Sequence, residues 1–102
     1  MISKQVREYI PKIRALMKDR PIKKVWLFGS CSRGEERPDS DIDLLFEADR
    51  SQNFSLFTQG AIYMDLNQLL GRKVDFIEDG ALRPHARETV ERDKILIYER
   101  GK

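Results

Sequence analysis

Gly29-Ser30, then ten residues, then Asp41-Ile42-Asp43 are the residues whose types and spacing could do chemistry together. They lie in one stretch, VWLFGSCSRGEERPDSDIDLLF, from Val25 to Phe46. A glycine and a serine closing an apolar run aim backbone N–H groups and a hydroxyl at one point, a common way to hold a phosphate. Side chains alternate along a strand, so Asp41 and Asp43 share one face and Ile42 and Leu44 the other. Carboxylates held side by side repel, and a divalent cation between them resolves the repulsion. A phosphate cradle beside a hard-metal site suits chemistry on a magnesium–nucleotide complex.

The elements that must position these groups follow from the pattern. Val25-Trp26-Leu27-Phe28 predicts a buried first strand, with Trp26 in the core. Ser30 is expected to cap a short helix running to about Glu36, and Arg37-Pro38-Asp39-Ser40 to form a loop. The second strand is expected from about Asp41 to Phe46. Ahead of this segment, Ser3 caps a helix with Val6, Ile10, Ile13 and Met17 at three- and four-residue steps. Pro11 is expected to kink that helix or to start its second half, and Asp19-Arg20-Pro21 to end it. Downstream, a long helix from about Ser55 to Leu70 has Phe57, Ala61, Met64, Leu66, Leu69 and Leu70 as its apolar set, and Gly71 after its end. Lys73 to Ile77 reads as a third strand and Asp79-Gly80 as a turn. Pro84 to about Glu91 reads as a helix and Ile95 to Tyr98 as a last strand, with Arg100-Gly101-Lys102 a frayed tail. The expected class is α/β (α+β), a small sheet of about four strands with helices on one side, in a single domain covering residues 1–102.

Composition limits the function classes. Apolar residues make up 40% of the chain and charged residues 35%, as in a soluble globular protein with a thin core. The net charge of +2 does not argue for nucleic acid. Residues 1–24 carry eight Lys/Arg against two acids, and residues 35–51 carry seven acids against two Arg. A lone cysteine excludes an intramolecular disulfide and fits a reducing compartment. With no signal peptide and no apolar run of membrane-spanning length, a cytoplasmic location and no membrane partner are expected.

Gly29-Ser30 and Asp41-x-Asp43 resemble the signature of the nucleotidyltransferase superfamily that includes DNA polymerase beta. The fuller runs LFGSCSRG and SDIDLL are similar to the minimal nucleotidyltransferase group, often encoded beside a HEPN-domain toxin. The resemblance implies a mixed sheet with strands two and three adjacent. It further implies Asp75, in the third strand between Val74 and Phe76, as the third carboxylate, acting as base or as ligand of a second metal; Asp65 in the long helix is the competing candidate. Asp41, Asp43 and Asp75 would then bind two magnesium ions. Gly29 and Ser30 would hold phosphates with help from Arg33, and Ser40 would order the loop before Asp41. The implied activity is transfer of AMP from ATP to a hydroxyl, most naturally a tyrosine of a cognate HEPN toxin, the protein serving as its antitoxin. An antitoxin acting by binding alone, or transfer to a small molecule, is the alternative.

Other motifs fail on their residues. Gly29 and Gly34 have P-loop spacing, but Glu35-Glu36 replace the required Lys-Ser/Thr. Asp39, Asp41 and Asp43 imitate an EF-hand start, yet Leu44 and Arg50 stand where Gly and Glu are needed. Cys31 has no nearby base in the sequence, and His85 is expected to be a surface or helix-end residue.

Overall fold

The computed structural model describes residues 2–101. Its elements run α1 (Lys4–Met17), β1 (Ile22–Phe28), α2 (Ser30–Arg33), β2 (Ile42–Ala48), α3 (Leu56–Leu70), β3 (Val74–Glu78), a 3-10 turn (Asp79–Ala81), α4 (Pro84–Asp93) and β4 (Ile95–Glu99). The sheet order is β3-β2-β1-β4. β1 pairs antiparallel with both β2 and β4, while β2 and β3 are parallel, so the sheet is mixed as expected.

Alternation divides the sheet into two faces. Val25 and Leu27 of β1, Ile42, Leu44 and Phe46 of β2, and Val74 and Phe76 of β3 join Val6, Ile13 and Met17 of α1 and Ile62, Leu66 and Leu70 of α3 in one core. Phe46 stacks on Phe76 with ring centroids 4.1 Å apart. Each such side chain withdrawn from water stabilises the fold by about 1.5–3 kcal/mol before chain entropy is counted. The other face carries Asp43 and Asp75.

Local chemistry explains the element ends. Ser3 accepts the Val6 N–H and caps α1. Pro11 lies inside α1 on its exposed side, and the helix continues through it. Ser55 and Thr58 form a reciprocal capping box at the start of α3, and Gly71 ends it with φ 65°.

Three expectations are corrected here. The buried stripe of α3 is Ile62, Leu66 and Leu70; Phe57 is 90% exposed and Met64 68% exposed. The helix is apolar around much of its circumference, so its sequence alone could not select the face. Trp26 is half-buried on the opposite sheet face, with the Lys94 ammonium 4.7 Å from its ring centroid. Its neighbours Val25 and Leu27 point into the core because alternation leaves Trp26 the other side. The C-terminal residues are tied down: Arg100 N–H donates to the Lys23 carbonyl, and its guanidinium reaches Asp49 and the Arg20 carbonyl. Lys102 of the expected tail lies outside the described residues.

Candidate active site

Parallel pairing of β2 and β3 sets Asp43 directly opposite Asp75, one row among Ile42–Val74 and Leu44–Phe76. Ile42 N–H donates to the Lys73 carbonyl at 3.0 Å and holds this register at the start of both strands. The Asp43 carboxyl is pushed up to about 6. Burial is the largest cause, followed by the charge of Asp75 and a hydrogen bond with it, then the charge of Asp41. Two carboxylates set side by side repel each other, and a bound cation would relieve that repulsion.

Asp41 precedes the strand rather than opening it, since β2 begins at Ile42. Its carboxylate lies 3.7 Å from Lys73 Nζ, on a side chain that is 68% exposed. So open an ion pair contributes little and is readily exchanged. Among the described residues, no group of three or more His, Cys, Asp or Glu is drawn together as a ready metal site. The structure joins Asp43 to Asp75 and leaves Asp41 beside them, turned to Lys73. Asp65 is elsewhere, on α3, bonded to Arg20 at 2.9 Å.

The turn after β1 comes next to this pair, because Phe28 is the register partner of Asp43. Gly29 has φ 71°, a left-handed conformation that favours glycine. A Cβ there would sit 3.1 Å from Asp43 Cγ and closer still to its Oδ2. Glycine at this position is thus required first by the Asp43 carboxylate, which fills the space a side chain would take.

Ser30 is not the cap of α2. Gly29 occupies that position, Ser30 is the first helical residue, and Ser32 Oγ donates back to the Gly29 carbonyl at 2.8 Å. The helix stops at Arg33 instead of Glu36 because Gly34 takes the left-handed conformation (φ 72°). Cys31 beneath it is fully buried, its thiol pushed up chiefly by burial, and it donates to the Asp41 carbonyl at 3.6 Å. That contact ties α2 to the segment bearing the acids and keeps the thiol away from solvent.

Arg33 pairs with Glu35 at 2.8 Å and with Asp93 of α4 at 2.7 Å. Ser40 accepts the Arg37 N–H at 2.8 Å and returns its own N–H to the Arg37 carbonyl at 2.9 Å, closing the loop before Asp41. Arg72 is a residue that sequence reasoning missed. Its guanidinium donates to the Ser40 carbonyl and, at 3.1 Å, to that of Arg37. It therefore clamps the loop that delivers Asp41. Its one sequence signal is position: it precedes β3, whose start lies beside that loop only after the parallel pairing forms.

The profile of the nucleotidyltransferase domain family matches residues 10–97. A Methanocaldococcus jannaschii protein provisionally named a protein adenylyltransferase is 32% identical over 96 residues, spanning 91% of this chain and 95% of that protein. A solved structure of a provisionally named minimal nucleotidyltransferase is 33% identical, covers 93% of this chain and 95% of its own, and superposes with a TM-score of 0.78. The chain is similar in fold (TM-score 0.68, 19% identity, 91% of this chain and 71% of the other) to a structure of a tri-AMPylated Shewanella oneidensis HEPN toxin in complex with its MNT antitoxin.

Proposed function

The chain belongs to the nucleotidyltransferase domain family, and from that membership we propose that it moves AMP from ATP onto a hydroxyl of a partner protein, silencing that partner. The observation that carries this reading is the Asp43–Asp75 pair packed against the Gly29 turn. A solvent-facing structural acid has no reason to sit where its neighbour raises its proton affinity.

In this reading the Gly29-Ser30 turn takes the β- and γ-phosphates through backbone N–H groups and the Ser30 hydroxyl. Asp43 would hold magnesium, with Asp41 joining it by leaving Lys73. When bound, magnesium neutralises the triphosphate and stabilises the departing pyrophosphate. Asp75 receives the acceptor's proton as its oxygen bonds to the α-phosphorus. The bond from that phosphorus to the bridging oxygen breaks, and pyrophosphate leaves with the electron pair. Arg72 and Ser40 hold the Asp41 loop in place for this step. Arg33 reaches a phosphate only by giving up Asp93, so it serves in the first place to brace α2 against α4.

The proposed acceptor is a tyrosine of a helical HEPN-type toxin, the class of protein that is AMPylated in the structurally similar complex. Incubation of the purified chain and partner with α-labelled ATP and magnesium tests the proposal. Label is expected on the partner, dependent on magnesium and lost with Asp43→Asn. A partner that is silenced without label would assign the protein to neutralisation by binding alone.

A further inference from the structure

The outward face of α3 is largely apolar and carries no charge. Ile62, Leu66 and Leu70 turn to the core, and on the opposite side Phe57, Ala61, Met64 and Gln68 stand exposed. They follow one another at steps of four, three and four residues, the spacing of the seam by which one helix packs along another. Leu56 and Gly60 widen the strip on one flank, Leu56 being 84% exposed. The apolar surface amounts to on the order of 500 Å², as large as the largest patch that a monomer ordinarily shows to water. We propose that this face receives the same face of a second copy of the chain, in an antiparallel, two-fold pairing of α3 with α3.

The strip itself carries both halves of the contact. A hollow of about 610 Å³ lies along α3, and Ala61, Met64, Asp65 and Gln68 are among its walls. Those positions are i, i+3, i+4 and i+7, the set that makes a hole for one knob from a facing helix. Phe57, 90% exposed, is such a knob, and it stands one turn before the hole on the same strip. With the second helix reversed, Phe57 of each copy enters the hole of the other, and a single contact repeated by the two-fold closes the pair. Gly60 and Ala61 then meet at the axis, where small residues let the helices come close; a Cβ at Gly60 would meet open space. Met64 presents its sulfur to the incoming ring. Charge agrees with self-pairing. Asp65 is the one charged residue of α3, and Arg20 holds it at 2.9 Å, so identical faces meet without repulsion. An acidic or basic protein would find no counter-charge on the strip. α3 packs on the sheet face away from Asp43 and Asp75, so the pairing covers neither acid. The strip is smaller than the about 800 Å² that each side of a standard interface supplies. The dimer is therefore weak, and at the low-micromolar concentrations of a melting experiment the chain is a monomer.

Sedimentation velocity of the full chain from about 1 µM to about 1 mM, the range in which small interfaces associate, tests the pairing. The mass is expected to rise from that of one chain towards that of two. Phe57→Ser, which removes the knob, and Ala61→Arg, which fills the hole, should each weaken the dimer by about tenfold or more. Both sites are exposed, and circular dichroism of each variant checks that it folds. A charge swap at the axis is the sharper arm. Ala61→Glu and Ala61→Lys should each be monomeric alone, through like charges facing across the two-fold, and should form a dimer when mixed. A single-chain mass at every wild-type concentration would overturn the pairing, whether or not any variant folds. So would a dimer that Phe57→Ser and Ala61→Arg both leave intact. A chain that stays monomeric, with α3 amide resonances that shift only when a helical partner protein is added, would give the strip to that protein and overturn self-pairing. A negative transferase assay has no bearing on these outcomes, since the pairing uses none of the acids.

Discussion

Asp43 of β2 and Asp75 of β3 face each other in the parallel register of the sheet, and burial together with the Asp75 charge pushes the Asp43 carboxyl up to about 6. A charged pair so placed is a cost to the metal-free fold. That cost can be measured.

Replacing Asp43 with Asn keeps the shape and removes one charge. In chelator the variant should melt at the same temperature as the wild type or higher. Magnesium should raise the wild-type melting temperature by mass action, and raise the variant's less. Nucleotide transfer should fall by orders of magnitude. Melting curves with magnesium and with chelator, beside a transfer assay, check this. A variant that melts well below wild type in chelator and still transfers would show these acids to be structural.

Burial of Asp43, with the Asp75 charge beside it, sets a pH dependence. An unfolded aspartate titrates near 3.9, and folded Asp43 near 6. Between these values the folded state binds more protons, so stability contributed by protonated Asp43 is full below about 4 and is lost as pH rises through about 6. In metal-free buffer, Asp43→Asn should lack this decline. Denaturant melts of both proteins across that window give the comparison. Parallel curves would mean that Asp43 does not titrate above the unfolded value.

Asp49 should behave in the opposite sense. It is 6% exposed. Hydrogen bonds from Ser51, Arg100 and Gln52 hold its carboxylate well below the usual range. A depressed pKa contributes stability above the unfolded value and loses it as pH falls. Asp49→Ala should therefore melt lower than wild type at pH 7, and the gap should narrow below about pH 4. A gap that is constant with pH would mean that packing, not charge, explains the loss.

Two glycines should respond with opposite signs. Gly29→Ala puts a side chain at φ 71° and into the Asp43 carboxylate. Backbone strain alone costs roughly 1–3 kcal/mol, and ATP binding should weaken as the turn shifts. Gly60 lies exposed within α3, and a methyl group added there would meet open space. Gly60→Ala should therefore stabilise by about 0.5–1 kcal/mol. Chemical denaturation of both variants settles the order.

The face of α3 can be read out by truncation. Leu66→Ala, at a site with no exposed surface, should cost about 2–5 kcal/mol. Phe57→Ser, at 90% exposure, should change stability by about 0.5 kcal/mol or less. Similar losses at both sites would place Phe57 in a folded contact.

Much of the fold was legible because it rests on local rules. The apolar run Val25–Phe28, the alternation from Asp41 to Phe46 and the stop at Gly71 marked most elements within a few residues, whereas the stop at Gly34 was missed. The errors share a cause. Phe57 and Met64 read as core because α3 is apolar on several sides, and burial depends on what packs against it. Trp26 read as core because a large ring in an apolar run is usually buried, whereas the sheet gave that face to Lys94. Ser30 read as a cap because its type suits one, but Gly29 took the position when the Asp43 carboxylate claimed the space beside it.

The sequence by itself determined the candidate chemistry: Gly29-Ser30 and Asp41-x-Asp43 are near in the chain, and their spacing and side-chain chemistry suffice to suggest a phosphate turn beside acids. Only the tertiary structure set Asp75 opposite Asp43, because that pairing depends on strand register across an intervening helix. It alone revealed Arg72 as the clamp on the Asp41 loop, and brought Asp93 of α4 to Arg33 of α2. Those relationships depend on which backbone groups pair across long stretches of chain, which no local pattern of side chains encodes.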